Sequence, residues 1–189
     1  MMRHIVNGME VIMGFFRTAL AIAVGSSSLF TFTNVAQASE FYIGEPVQKN
    51  GLEVGAFYLK AIEMEPEPPI PPRDNTIHLE CDVAATENNQ QGFPAGAWVP
   101  YLTCNYTIEK VGSDWQHTGT MLPMVAQDGP HYANNVPMNG PGTYRLTYYL
   151  TPPSAQGFFR HADEETGVPS WWEPFTVQWT FEYPSQPVE

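Results

Sequence analysis

The stretch Phe175-Thr-Val-Gln-Trp-Thr-Phe-Glu-Tyr183, close to the carboxyl terminus, alternates strictly between apolar and polar side chains. Successive side chains of an extended strand point to opposite faces, so this pattern predicts a half-buried antiparallel strand. The same period of two runs through residues 77–83, where Ile77 and His78 begin the alternation, and through residues 143–150. Each of the three segments therefore has one apolar face and one polar face.

Turn sequences separate the short alternating segments. Asp128-Gly-Pro-His131 and Asn139-Gly-Pro-Gly142 carry the residues that tight turns require. Residues 63–72 are acidic and too rich in proline for a helix or a central strand, which predicts an extended loop. The sequence contains no convincing amphipathic helix. We therefore expect an all-β protein, an antiparallel β-sandwich of the immunoglobulin-like type.

The amino-terminal segment has the features of a secretory signal. Arg3 and Arg17 lie on either side of an apolar run, a second apolar run follows, and Ala36-Gln-Ala38 supplies the small residues that signal peptidase accepts. We predict cleavage after Ala38, so that residues 1–38 are a signal peptide and residues 39–189 form one domain. The mature protein is then expected in the periplasm.

A membrane anchor is the alternative interpretation of this segment. Gly25-Ser-Ser-Ser28 interrupts the apolar run too early for the roughly 20 residues of a membrane span. No cysteine lies near Ala38, which argues against a lipid-anchored form. Translation from Met13 instead of Met1 would give a signal peptide of more usual length.

The charge balance is strongly acidic. Eight lysines and arginines stand against 20 aspartates and glutamates, which gives a formal net charge of −12. Such a chain repels nucleic acid and anionic lipid and attracts cations. Nucleic acid is therefore excluded as a partner, and direct membrane insertion after signal cleavage is not expected.

Two cysteines, Cys81 and Cys104, are present. Both lie on the apolar faces of alternating segments, and the predicted export would expose them to an oxidising compartment. Their spacing matches neither a CxxC redox motif nor a zinc knuckle. We therefore predict a disulfide bond between them.

Several residues could bind a metal ion. Of the five histidines, His4 precedes the predicted cleavage site, and His78, His117, His131 and His161 follow it. His78 and Glu80 lie two residues apart on the polar face of one predicted strand, so both project from the same side, about 7 Å apart. Met124 and His131 bracket a tight turn that could bring a thioether and an imidazole together. His161 lies in a loop beside charged residues.

A set of methionine, histidine and carboxylate ligands has a distinctive chemistry. Thioether sulfur favours Cu(I), imidazole suits copper, iron and zinc, and carboxylate favours harder ions such as iron or manganese. Each residue also has an ordinary interpretation, because Met124 could fill the core and a loop histidine such as His161 could be a plain surface residue.

Enzyme motifs are missing from the sequence. It contains no HExxH, no GxSxG, no glycine-rich phosphate loop and no catalytic cysteine context. Glu164 and Glu165 follow His161 closely, but adjacent loop carboxylates are usually only solvated. We therefore expect a protein that is not an enzyme.

A series of motifs, in order from Glu45 to Tyr183, resembles the FetP-type periplasmic iron-transport proteins. The motifs are Leu52-Glu-Val-Gly-Ala-Phe-Tyr-Leu59, Ile62-Glu-Met-Glu-Pro66, Ile77-His-Leu-Glu80, Trp98-Val-Pro-Tyr-Leu102, Met121-Leu-Pro-Met-Val-Ala126, Asp128-Gly-Pro-His-Tyr132, Arg160-His-Ala-Asp-Glu-Glu-Thr-Gly-Val168 and Trp171-Trp-Glu-Pro-Phe175.

This resemblance implies a homodimeric immunoglobulin-like sandwich that works beside an inner-membrane iron permease. It implies bound copper, and an iron site in which manganese often stands in for iron. Matched motif by motif, the implied metal ligands are Glu80, Met124, His131 and His161. His78 matches a further metal-linked histidine of some relatives.

The sequence departs from the family pattern at three places. Phe159 stands where relatives often have the first histidine of His-Arg-His, so an accessory metal site that uses this histidine is in question. The acidic loop is rich in proline where relatives carry glycine and methionine. Cys81 and Cys104 replace residues that are usually apolar, which supports a disulfide bond between them.

Three functions remain open at this point. The first is an iron-uptake binding protein that passes iron to a permease. The second is a copper-handling protein whose redox cycling assists iron oxidation or reduction. The third is an interaction module whose histidines serve only a dimer interface.

Overall fold

The computed structural model describes residues 40–184. The predicted signal peptide and its cleavage site lie outside these residues. Within them the chain forms ten strands and one 3-10 turn. The strands are β1 (Phe41–Tyr42), β2 (Val47–Lys49), β3 (Leu52–Lys60), β4 (Thr76–Ala85), β5 (Thr103–Lys110), β6 (Gln116–Thr120), β7 (Leu122–Ala126), β8 (Gly129–Pro137), β9 (Gly142–Thr151) and β10 (Phe175–Tyr183), and the turn spans Pro153–Gln156.

The strands form two antiparallel sheets. The larger sheet has the order β1-β3-β4-β8-β7, with β2 also paired to β3, and the smaller sheet has the order β10-β9-β5-β6. The predicted fold class, an all-β antiparallel sandwich of the immunoglobulin-like type, is confirmed. Within residues 40–184 no helix has the length and apolarity needed to cross a membrane.

The alternating segments of the sequence become the strands that build the core. In β10 the residues Phe175, Val177, Trp179 and Phe181 are buried, and the polar residues between them are exposed. Strand β10 is paired along its whole length with β9, which contributes its own apolar face to the same core. Burial of these aromatic and aliphatic side chains is the main force that holds the sheets together.

The two cysteines meet in the centre of this core. Cys81 lies on β4 in the larger sheet and Cys104 on β5 in the smaller sheet, and both are fully buried. In the structure they are thiols whose Sγ atoms lie 3.2 Å apart. Burial raises the pKa of Cys81 well above its usual value, with the neighbouring thiol as a second cause. The disulfide bond stays a prediction.

The acidic loop, here residues 61–75 between β3 and β4, contains no helix or strand, as its proline content predicts. Asn135 on β8 anchors it. The amide nitrogen of Asn135 donates to the backbone oxygens of Ile62 at 2.9 Å and Ile70 at 3.1 Å. The loop is therefore tied to the outer face of the larger sheet.

Candidate metal centre

Strand β4 places three polar side chains on the outer face of the larger sheet. Leu79, Cys81 and Val83 point into the core, so the residues that alternate with them point outward. These outward residues are His78, Glu80 and Asp82. His78 is nevertheless fully buried, and it faces Asn135, the residue that anchors the acidic loop.

Three of the predicted ligands come together on this face. His78, Glu80 and His131 each offer a ligand atom, and these atoms lie within 4.8 Å of one another. The Nε2 atom of His78 lies 3.7 Å from Oε1 of Glu80. The two imidazole rings are nearly perpendicular, with centroids 6.1 Å apart. We call these three residues the His/Glu cluster.

Met124 lies beside this cluster. Strands β7 and β8 form a hairpin in which Met124 is directly opposite His131. Opposed residues of an antiparallel pair share one face of the sheet, with Cβ atoms about 4.5–5.5 Å apart. The structure therefore brings the thioether and the imidazole to the same face.

His161 is placed differently. It is exposed in the loop that follows the 3-10 turn, and its Nδ1 atom lies 2.7 Å from the hydroxyl of Thr166. That hydroxyl also donates to the carboxylate of Asp163, so the contacts of His161 are local to its loop. His161 is not part of the cluster formed by the described residues of its own chain. Its role as a ligand stays a prediction.

Buried atoms without partners distinguish the cluster from an ordinary polar patch. Within residues 40–184, the Nε2 atoms of His78 and His131 and Oδ1 of Asp82 are buried and have no hydrogen-bond partner. Leaving such an atom unpaired costs about 1–3 kcal/mol. A cation bound by the two Nε2 atoms would remove that cost for both histidines, so the residues of the His/Glu cluster fit a metal ion.

Burial and neighbouring charge shift the pKa of two cluster residues in opposite directions. Burial lowers the pKa of His78 to about 4, so its imidazole is neutral at physiological pH. Burial raises the pKa of Glu80 to about 7, and the carboxylates of Asp82, Glu40 and Asp128 add to the shift. A cation arriving at neutral pH would meet a neutral imidazole and a carboxyl group that readily gives up its proton.

A cavity of about 440 Å³ opens beside the cluster. Its lining includes His131 and four carboxyl groups, those of Glu40, Glu80, Asp82 and Asp128. We call it the acidic pocket. Glu40, Asp82 and Asp128 were not among the predicted ligands. Asp82 could have been found from the sequence, because it lies two residues after Glu80 on the same polar face.

The chain is thus a β-sandwich protein with a cluster of histidine and carboxylate side chains, a candidate metal site, on the outer face of one sheet. Residues 37–185 match the family of Fe2+ transport proteins, and the chain belongs to this family. The resemblance to FetP-type proteins is thereby confirmed.

Known relatives cover most of the chain. A UPF0423 protein of Brucella abortus is 44% identical over 172 residues, 89% of this chain and 93% of its own length. The copper-reconstituted P19 protein of Campylobacter jejuni is 46% identical, with a TM-score of 0.74, over 79% of this chain and 99% of P19. FetP of uropathogenic Escherichia coli is 48% identical, with a TM-score of 0.74, over 76% of this chain and 95% of FetP.

Proposed function

We propose that this protein is a periplasmic metal-binding protein of an iron-uptake system. It holds copper at the His/Glu cluster and handles iron, or manganese as its surrogate, beside an inner-membrane iron permease. The observation that carries the proposal is the pair of buried, unpartnered Nε2 atoms of His78 and His131 beside the carboxyl group of Glu80.

Copper suits the donor set. Imidazole nitrogen binds both oxidation states of copper, and the thioether of Met124 adds a soft ligand that favours Cu(I). The P19 protein has been reconstituted with copper, and a copper-bound variant of E. coli FetP is also known. When bound here, copper would supply a one-electron redox couple.

Iron suits the acidic pocket. Its four carboxyl groups are hard oxygen donors, which favour iron and manganese over softer ions. Net charge supports the same conclusion, since an acidic protein raises the local concentration of cations. Iron is the cargo in this proposal, and the role of the chain is to bind it rather than to catalyse a reaction.

A homodimer would give His161 a role. Within one chain His161 lies outside the cluster, in an exposed loop. We propose that each subunit supplies His161 to the cluster of the other subunit, which completes a set of one carboxylate, one thioether and three imidazoles. Sedimentation analysis of wild type and of His161→Ala, each with and without copper, tests the dimer and the contribution of His161 separately.

Two measurements test the proposed function. A strain that lacks the protein should take up radiolabelled iron more slowly than its parent when iron is scarce, and the wild-type gene should restore uptake. Metal analysis of protein purified from its own periplasm should find copper. Normal uptake by the deletion strain would contradict the iron-uptake function, and the absence of copper as well would leave the interaction-module alternative.

A redox role for copper is a second candidate, favoured by the pairing of Met124 with His131. A soft and an intermediate ligand side by side stabilise both Cu(I) and Cu(II). Copper-dependent oxidation or reduction of iron by the purified protein would support this role. Copper binding without any effect on the oxidation state of iron would argue against it.

Met124→Leu should weaken Cu(I) binding more than Cu(II) binding, because a thioether matters most to the softer ion. The fold should survive, since the two side chains have similar volumes. Competition with chromogenic chelators specific for each oxidation state measures both affinities. Met121→Leu is the matched control, because Met121 is buried in the core and should leave both affinities unchanged.

Copper affinity should fall as the pH drops below about 7. The raised pKa of Glu80 means that the free protein holds a proton there at lower pH, and the metal must displace it. His78 has a pKa of about 4 and adds no competing proton above pH 5 or so. Titration calorimetry between pH 5.5 and 8 measures how steeply the copper affinity changes with pH. Glu80→Gln should bind more weakly at pH 8 and lose less affinity on acidification than wild type.

The mature protein should begin at Ser39 if the signal peptide is removed after Ala38. The charge, apolar run and small-residue site of the amino-terminal segment are the reason for this expectation. Mass spectrometry of protein from the periplasmic fraction measures the terminus. Periplasmic protein that still contains Arg17 would contradict the predicted cleavage.

A further inference from the structure

Asn135 is a fully buried residue that touches both the His/Glu cluster and the acidic loop. Its side chain makes four hydrogen bonds. The amide nitrogen donates to the backbone oxygens of Ile62 and Ile70. The amide oxygen accepts from the backbone nitrogen of Ile62 at 3.4 Å and lies 3.1 Å from Nδ1 of His78.

These contacts fix which way the amide of Asn135 points. Backbone oxygens can only accept, so the NH2 group must face Ile62 and Ile70. The flipped orientation would set the amide oxygen against two other oxygens and the NH2 group against the backbone N–H of Ile62. Such a buried arrangement would leave several groups unsatisfied, and each costs about 1–3 kcal/mol.

The orientation of Asn135 in turn decides where His78 carries its proton. The amide oxygen can only accept, so Nδ1 of His78 must be the donor. A neutral imidazole with hydrogen on Nδ1 has its lone pair on Nε2. That atom lies 3.7 Å from Glu80 and has no hydrogen-bond partner among the described residues.

We propose that Asn135 is the positioning residue of the metal centre. It holds His78 as the Nδ1–H tautomer, so that the lone pair of Nε2 faces the cluster. This inference rests on the proposed function for its metal, but the tautomer itself is a property of the metal-free protein. Partners of this kind, behind a ligand histidine, fix ring orientation and raise the basicity of the ligand nitrogen.

The same amide couples the acidic loop to the ligand. Ile62 and Ile70 lie on either side of the glutamates at 63, 65 and 67, and both are held by the amide that orients His78. Freeing the loop from Asn135 would remove three of the four hydrogen bonds that fix the amide. The position of the loop and the tautomer of His78 are therefore linked.

Nitrogen NMR of the uniformly labelled, metal-free mature protein tests the tautomer directly. In a neutral imidazole, the nitrogen that carries hydrogen and the nitrogen that does not have clearly different nitrogen chemical shifts. Wild type should show His78 with hydrogen on Nδ1, and Asn135→Leu, which removes the acceptor at similar volume, should show a mixture or the other tautomer. A wild-type signal with hydrogen on Nε2 would overturn the inference.

Copper titration provides the second readout. Asn135→Leu should bind Cu(II) about 10- to 100-fold more weakly than wild type, the usual effect of removing a partner behind a ligand histidine. Asn134→Leu is the matched control. Asn134 is the next residue on β8, points to the opposite face and donates to the backbone of Thr120, so copper affinity should not change.

A second variant covers the case in which Asn135→Leu does not fold. As a carboxylate, the aspartate of Asn135→Asp keeps an acceptor for His78 but cannot donate to Ile62 and Ile70. It should preserve the tautomer while amide hydrogen exchange in the acidic loop becomes faster. A variant that folds, loses the tautomer and keeps wild-type copper affinity would overturn the inference. Failure of wild type to bind copper would overturn the proposed function, whereas the tautomer of wild type would still decide the orienting role of Asn135.

Discussion

Replacing His131 with alanine should lower the affinity for Cu(II) about 100-fold, whereas His117→Ala should leave it nearly unchanged. His131 is buried, its Nε2 atom has no hydrogen-bond partner among residues 40–184, and it lies in the cluster with His78 and Glu80. His117 is half-buried on β6 of the other sheet, where its ring stacks on Tyr106 and its Nδ1 atom lies 3.2 Å from the phenol oxygen.

The magnitude follows from the energy that one ligand contributes in structural zinc sites. Structural zinc bound by four ligands contributes about 10–16 kcal/mol, so one ligand is worth roughly 3 kcal/mol. A difference of about 1.4 kcal/mol is tenfold in affinity, which gives about 100-fold for one lost imidazole. Copper generally binds nitrogen sites more tightly than zinc does, so the loss should be at least as large.

Competition with a chromogenic chelator at pH 7.5 measures the affinities of wild type and the two variants. His131→Ala removes a side chain from the outer face of the sheet rather than from between the sheets, so circular dichroism should show an intact fold. Equal copper affinities for wild type, His131→Ala and His117→Ala would contradict the proposed metal site. The interaction module would then be the remaining hypothesis.

Sequence periodicity was sufficient to predict the fold, because the alternation of buried and exposed residues along a strand depends on residues that are neighbours in the sequence. In strand β10 the apolar residues up to Phe181 are buried and the polar residues between them are exposed, as the sequence pattern predicts. The pairing of Met124 with His131 could also be predicted, because only a short turn separates the two residues and a hairpin places them opposite each other. Both predictions depend on residues that are close in sequence.

The burial of His78 could not be predicted, because it depends on contacts far along the chain. Asn135, which bonds the ring of His78, lies 57 residues away. The acidic pocket likewise joins Glu40, strand β4 and the β7–β8 turn. Nothing local in the sequence marks such contacts, so Glu40, Asp128 and Asn135 were missed as parts of the site.

His161 marks a further limit of sequence reasoning. The family motif predicts that it is a ligand, and the structure places it in an exposed loop outside the cluster of its own chain. A motif match shows which residue is present, but it does not show which subunit of a dimer would supply that residue to a site. The His161→Ala variant proposed above addresses this question.

Oxidised protein should be more stable than reduced protein by about 3.5 kcal/mol if Cys81 and Cys104 form a disulfide bond. The two residues are 23 positions apart, and closing a loop of this size lowers the entropy of the unfolded chain by an amount worth about 3.5 kcal/mol at 25 °C in the loop-closure account. The bond would also join the two sheets directly, since Cys81 lies on β4 and Cys104 on β5.

Denaturant unfolding with and without a reductant measures this difference. The Cys81→Ala/Cys104→Ala variant is the control, and reductant should not change its stability. The two proteins should not be compared directly, because the alanines also leave a cavity where two buried sulfur atoms were, which lowers stability for a separate reason. The change in unfolding free energy that reductant causes, measured within each protein, isolates the contribution of the disulfide bond.

Two free thiols in denatured, non-reduced protein from the periplasm would contradict the disulfide. Cys81 and Cys104 would then be ordinary core residues that fill the space between the sheets.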